Sequence, residues 1–455
     1  PSFKSSNFNT SLLKIGFGIS SLGSLPGFCN SLIISLTVGS PTCSSLAIFA
    51  GLNIVMDPFG VFGDRFYDWY SYDFTNNPRA SKIAYLDKHF QEYDSYIIGC
   101  SSTSSFPAED LNHYFGGNFY NMIMYGADML DVEETCQYIL GKYHPQNPVK
   151  NIVINVHLLN GLTYDEENDK ITRNLHANVN GESKLSFYGR YLFLDPRYAV
   201  AKMDAKKKDT YLTQPFDVFN IQDGAYDKKV RDAEPIGNLI KYEESYPIFV
   251  NYPEGHRVMT EIDTTMESLA RIKKMCEEAN VNVIFVTSPV YTDHLKYFER
   301  EEVNAFYRKM AEVTPYWDFT VSSLSKDPRY FYDESHFRNV VGTMALASMF
   351  ANQEVYYPKD LGEYVTSENV ENHLAKMWDY VDNILWNEES ENKIAVFELA
   401  YTSRVPVLMY HHIVEGADSS TTISPELFEE HLKAIKENGY TTVSMDDLIA
   451  FVEKG

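Results

Sequence analysis

The sequence predicts an α/β fold: a parallel sheet with helices covering its faces. Two observations carry that prediction. The first is a set of short apolar runs of strand length, residues 94–98 (DSYII), 151–156 (NIVINV) and 281–287 (VNVIFVT). Gly99 ends the first and Pro289 stops the third. The second is helical periodicity just upstream of strands. From Ile262 the residues Met266, Leu269, Ile272 and Cys276 recur at helical spacing and lead directly into the third run. Val132, Tyr138 and Leu140 precede the second run in the same way. Helix then strand, repeated, selects a parallel sheet.

Taken in order, the chain opens with an unusual leader. Residues 1–56 hold only Lys4 and Lys14, and nothing from Ile15 to Met56 is charged. The segment from Ser31 to Met56 has the length of a bilayer span, which takes about 20 apolar residues. A basic start before an apolar run has the form of an uncleaved signal anchor. Pro41 and the serine pairs fit a leader without that role equally well. The first residue is Pro1 rather than Met, so further sequence is expected upstream. Residues 57–355 form the main α/β domain, interrupted at 165–252 by a polar, irregular stretch that reads as an insertion or a lid over the sheet's edge. Val341, Met344, Ala345, Ala347, Ser348 and Phe350 mark a closing helix from Asn339. Residues 356–403 read as a helical linker. Its helix starts near Ser367 as N-cap, carries Val370, Leu374, Trp378, Val381 and Leu385 on one stripe, and ends in the acidic run Glu388 to Glu391. A new unit occupies 404–455.

Charge and cysteine usage exclude several function classes. The net charge is −24, and a nucleic-acid binder needs a basic footprint. The one basic run, Lys206, Lys207 and Lys208, reads as a solvated loop. Acidity also disfavours adsorption to anionic membranes. None of Cys29, Cys43, Cys100, Cys136 and Cys276 sits in a CxxC pair, so zinc and redox motifs are missing and no cofactor is expected. The 33 Tyr and 28 Phe suit a carbohydrate-handling surface or a Tyr-rich core.

Three features combine into a candidate site. Ser101 follows a strand and a glycine, which places its hydroxyl where open α/β sheets bind ligands. The helix start after it offers backbone N–H groups to an oxyanion. Gly126, in NMIMYGAD (121–128), follows a probable strand and fits both a simple turn and an oxyanion amide. In FYDESHF (331–337), Asp333 and His336 lie three apart, so a single turn brings them together. His336 then serves as base toward Ser101, with Asp333 fixing its tautomer. Cys100 is a rival nucleophile, but neighbouring residues project differently and only one of the pair can face His336.

GCS at 99–101 and DESH at 333–336 resemble the first and last blocks of SGNH hydrolases. The wider pattern is similar to the envelope-associated branch, which includes the D-alanine-transfer proteins of teichoic acid esterification and the alginate O-acetylation proteins. The resemblance runs from about Asp57 to Phe350. It takes in the text at Met56 to Gly60, TSPVY at Thr287 to Tyr291 and WDF at Trp317 to Phe319. It implies a flavodoxin-like three-layer domain, with Ser101, Asp333 and His336 as the catalytic set. The sequence departs from the family in the third block, which normally supplies an oxyanion Asn. Here the strand reads NIVINVHLLNG, with Asn155, His157 and Asn160 as candidates. The Ser101 and Gly126 amides are left to carry that role.

The C-terminal VPVLMYHHI (405–413) and the stretch from Ile423 to Gly455 resemble the opening of a NodB-like polysaccharide deacetylase. The family's metal-binding Asp run and its later His pair have no counterpart. Asp446 and Asp447 start a helix instead, and His411 and His412 belong to the opening strand and its turn. The fragment is expected to continue beyond residue 455. Together the resemblances imply a serine-dependent O-acyl esterase or acyltransferase acting on an acylated cell-envelope or exported polysaccharide. It would be extracytoplasmic and anchored at the cell surface through its N-terminus. The alternative is a non-catalytic glycan-binding or assembly component of such a system, with metal-dependent N-deacetylation left to the intact parent.

Overall fold

The computed structural model describes residues 41–63, 66, 77–162, 171–208, 218–227, 239–249, 256–383, 412–415, 422–437 and 442. The chain divides into two compact units, Pro1–Leu46 and Ala47–Gly455. Of the first, only 41–46 are described, the opening of the helix Pro41–Met56. The remainder of the predicted leader, the acidic run at 388–391, His411 and Asp446–Asp447 lie outside the described residues. No helix among those described is long and apolar enough to cross a membrane.

The second unit is built on strands β1 (Ser95–Gly99), β2 (Phe119–Ile123), β3 (Asn151–Val156), β4 (Val218–Phe219), β5 (Tyr226–Asp227), β6 (Asn282–Thr287), β7 (Tyr316–Asp318) and β8 (Glu363–Val365). Six of them form one sheet in the order β2-β1-β3-β6-β7-β8. All neighbours run parallel except β7 and β8. Every residue of β1, β2 and β3 is buried, as expected for parallel strands covered on both faces. The pleat sorts the side chains. Tyr96, Ile98, Ile152 and Ile154 join one core cluster, and Ile97, Val153 and Val286 join another. The first face is covered by helices that include Ile262–Glu278 and Arg300–Val313; the second carries Ala108–Phe115 and Asn339–Met349. The result is helix, sheet, helix. β2 lies on one side of β1 while β3 and its followers lie on the other, so the chain reverses direction across the sheet between β1 and β3. Open α/β sheets bind ligands at that point, beyond the strands' C-terminal ends.

Three local expectations change. The stretch 165–252 is more regular than its polar sequence suggests. Its described parts include the helices Lys184–Leu192, Pro196–Lys208 and Leu239–Ser245 and the antiparallel hairpin β4–β5. The hairpin serves the exposed edge of β2, which would otherwise leave backbone groups unpaired. The Asn121 amide donates to the Asp223 carbonyl at 2.8 Å. Lys82 Nζ, fully buried, donates to the Asn121 and Gly224 carbonyls at 2.7 and 2.5 Å. The Lys206–Lys208 run falls within the helix Pro196–Lys208 and not in a loop. The linker helix, Val370–Asn383, is capped from Thr366 and not from Ser367. Thr366 Oγ1 accepts from the Glu368 amide at 3.2 Å, and Asn369 Oδ1 accepts from the Thr366 amide at 2.7 Å.

Within 404–455 the described residues give a short parallel pair, β9 (His412–Ile413) with β10 (Thr422–Ile423), and the helix Pro425–Glu437.

Candidate active site

Strand β1 ends at Gly99, a position where nothing larger fits. A Cβ there would overlap Thr103 Oγ1 and come within 2.7 Å of the Asn155 carbonyl oxygen. The chain then turns into a short 3₁₀ helix, Ser101–Ser105, with Cys100 as its extended cap. Ser101 is its first residue. The opening amides of such a turn have no intrahelical acceptor and are available to an anion.

The turn is held from β3 and from the loop after β6. Asn155 Nδ2 donates to Ser102 Oγ at 3.2 Å and to Thr103 Oγ1 at 3.0 Å, while its Oδ1 accepts from Ser288 Oγ at 3.0 Å. Ser102 and Ser288 are themselves 2.7 Å apart. Asn155 therefore braces the serine turn with both ends of its amide already engaged. Asn160 is engaged elsewhere: Nδ2 donates to the Ala127 carbonyl at 2.9 Å and Oδ1 accepts the His157 amide at 2.7 Å. It steadies the loop that carries Gly126. That glycine has φ +55°, and a Cβ on it would press against the Arg173 guanidinium at 3.2 Å.

The second half of the site is a small hairpin. Phe331 and Phe337 form an antiparallel bridge, and the Tyr332 amide donates to the His336 carbonyl at 2.8 Å. Asp333 and His336 are thus joined by a loop and not by a turn of helix. Asp333 Oδ1 accepts from the Ser335 and His336 amides, both at 2.9 Å, and this fixes the carboxylate against its own loop. Tyr242 braces the hairpin by donating its hydroxyl to the Phe331 carbonyl at 3.0 Å. The Tyr291 amide donates to the Glu334 carbonyl, also at 3.0 Å. Ser105 Oγ donates to the Phe337 carbonyl at 2.5 Å, which links the serine turn to the hairpin.

These two halves bring the three predicted residues into one chain of hydrogen bonds. Ser101 Oγ lies 2.7 Å from His336 Nε2, and His336 Nδ1 lies 2.8 Å from both Asp333 oxygens. Ser335 Oγ is 3.2 Å from the same Nδ1. The Asp333 and His336 side chains keep 34% and 28% of their surface exposed, so a substrate can reach them. With the carboxylate on Nδ1, the neutral ring carries its proton there and leaves Nε2 as an acceptor for the serine hydroxyl. Cys100 points away: Sγ lies 3.3 Å from Ser102 Oγ, and burial raises the thiol's pKa.

His157 is the third candidate of the departed block. It is buried beside the hairpin, its ring edge-to-face with that of His294 at 5.4 Å between centroids. Burial, and then the charge of His336, lower its pKa to about 3. His294 is buried too, and burial drives it well below the usual histidine range. Sequence reasoning missed Ser102, Thr103, Ser288, Ser335 and His294. The hydroxyl-rich SSTSS run and the serine within TSPVY were the available signals. Among the described residues, no cluster of three or more His, Cys, Asp or Glu side chains could hold a metal ion. No protein-family model matches this sequence, and no curated protein is significantly similar to it.

Proposed function

We propose that this protein is an SGNH-type serine esterase or acyltransferase that acts outside the cytoplasm on an O-acylated envelope or exported polysaccharide. The hydrogen-bonded chain Ser101–His336–Asp333, open to solvent at the C-terminal edge of the sheet, carries the reading. The GCS and DESH blocks give it its SGNH character. The NodB-like C-terminal stretch supports a polysaccharide substrate, and the leader, a basic start before the uncharged run from Ile15 to Met56, supports a surface anchor.

The chemistry follows from the geometry. Ser101 Oγ attacks the ester carbonyl carbon while His336 Nε2 takes the hydroxyl proton. Asp333 holds the ring and stabilises the imidazolium that forms. The tetrahedral oxyanion lies against the amides at the start of the Ser101–Ser105 turn. The ester C–O bond breaks as His336 returns its proton to the leaving sugar oxygen, and the acyl group stays on Ser101. Water or another sugar hydroxyl, deprotonated in turn by His336, attacks the acyl-enzyme and frees the serine.

The test is covalent labelling of the full chain by a fluorophosphonate, beside Ser101→Ala, with acetate release from O-acetylated polysaccharides as the activity assay. Labelling and acetate release that both vanish in Ser101→Ala support the reading. A folded wild type that neither labels nor releases acetate refutes it.

A further inference from the structure

His157 immediately follows β3, the strand beside the one that delivers Ser101. Its Nδ1 accepts the Leu159 amide at 3.1 Å, closing a small capping box with Asn160. A ring nitrogen that accepts an N–H has no proton of its own, so the neutral imidazole carries its hydrogen on Nε2. That Nε2–H is buried and makes no hydrogen bond of good geometry in the resting site, although the Ser335 backbone is near enough to act on the ring. Such a group is costly to leave unpaired, and its retention calls for an explanation. The groups that act on the ring from the catalytic hairpin are the Ser335 backbone, Asp333 and His336. His294 packs edge-to-face against the same ring.

We infer that His157 is a positioning residue for the catalytic hairpin, with its fixed Nε2–H directed at the backbone of Ser335, the residue before His336. Hydrogen bonds in resting active sites are often long and tighten only when the reaction begins. Here the bond closes as His336 takes the Ser101 proton, and it keeps the new imidazolium against Asp333. A neutral donor suits this place. A second cation so close to His336 would oppose its protonation, and the depressed pKa of His157 keeps the ring uncharged at working pH. The role parallels that of Asn155 on the serine turn, with the last residues of one strand and its loop steadying both halves of the site.

This inference rests on the serine-enzyme reading, and the test separates the two. The full chain, His157→Phe and His157→Gln are compared by fluorophosphonate labelling rate and by kcat and KM on p-nitrophenyl acetate. The His336 Nδ1–H resonance is followed by proton NMR. His157→Phe is expected to label about tenfold more slowly, the effect of losing one neutral hydrogen bond. Its loss should fall in kcat with KM little changed, and the downfield resonance should weaken. His157→Gln keeps an N–H donor and should stay within about threefold of wild type on the same scale. Equal labelling of wild type and a folded His157→Phe overturns the inference and leaves Ser101 as nucleophile. So does a His157→Gln as slow as His157→Phe. An unlabelled wild type removes the serine-enzyme reading and this inference with it.

Discussion

Among the described residues, two places join a hydroxyl, an imidazole and a carboxylate, and they are arranged very differently. At the first, His336 stands between Ser101 and Asp333, with one ring nitrogen for each. At the second, at the end of β7, Asp318 Oδ2 lies 2.6 Å from His373 Nε2 while Glu363 Oε2 lies 3.2 Å from Nδ1. There the hydroxyls of Thr287 and Thr320 donate to Asp318 and not to the ring. An imidazole with carboxylates on both sides has no free lone pair to accept a serine-like proton. Exposure differs as sharply: the His373 and Asp318 side chains retain 9% and 2% of their surface, against 28% and 34% at the first place. The same residue types therefore make a proton shuttle in one case and a bolt in the other. What separates them is which atom each nitrogen faces and whether a substrate can arrive. The bolt ties β6 and β7 to the helix Val370–Asn383.

The largest expected contrast is chemical. Asp333→Asn should slow labelling of Ser101 by roughly a thousandfold, because an amide on Nδ1 favours the wrong tautomer. Thr287→Ala, the formally matching change to the bolt's hydroxyl, should leave the labelling rate within about twofold of wild type. Comparable losses in the two variants would erase the distinction. Next comes stability. Removing one partner of a buried ion pair strands the other, so His373→Ala should cost about 3 kcal/mol in urea unfolding. The residual folded enzyme should keep its labelling rate. A variant that unfolds at the wild-type midpoint would show that the pair is idle.

The smallest effect is in pH dependence, where the two places differ in sign. Burial disfavours charge on His373, but Asp318 and then Glu363 outweigh it and raise its pKa. Its contribution is complete below the ordinary histidine pKa and fades as pH rises through the raised folded value. Beside the catalytic hairpin, His157 is lowered to about 3 and His294 is lowered well below its usual range, mainly by burial. The unfolded chain binds those protons first, so stability should fall as pH drops from about 6.5 toward 4. Melting temperatures across that range should show the fall, and His294→Phe should flatten it. A His294→Phe curve parallel to wild type would break the assignment.

Much of the scaffold was legible in the sequence. β3 sets Ile152, Val153, Ile154 and Val156 among two asparagines because it is covered on both faces, and Ile262–Glu278 shows its buried stripe at helical spacing. Ser101, Asp333 and His336 were singled out by the GCS and DESH blocks, and the structure joins them in one chain of hydrogen bonds. The bracing around them was not legible. Asn155 reaches Ser288 across 133 positions, and no local pattern announces such a partner. The hairpin at 331–337 was hidden for another reason: its bridge is a single residue pair, and the Asp333 carboxylate does the folding of the loop by accepting two amides. The strand β8 is an antiparallel edge of three residues with Tyr364 exposed, too short and too polar for its period to register. The helices of 165–208 were missed because only part of each is buried, so polarity masked their apolar side.

The bond between Ser101 and His336 joins residues 235 positions apart. Ribosomes add about 5–20 residues per second, so the serine is made roughly 10–50 s before His336. During that interval the hydroxyl lacks its imidazole partner. Contacts of such long range are also slow to close, and this one cannot form until the chain between its partners exists. On the proposed reading, labelling of Ser101 is in that sense a report that the chain from Ser101 to His336 has been made and brought together.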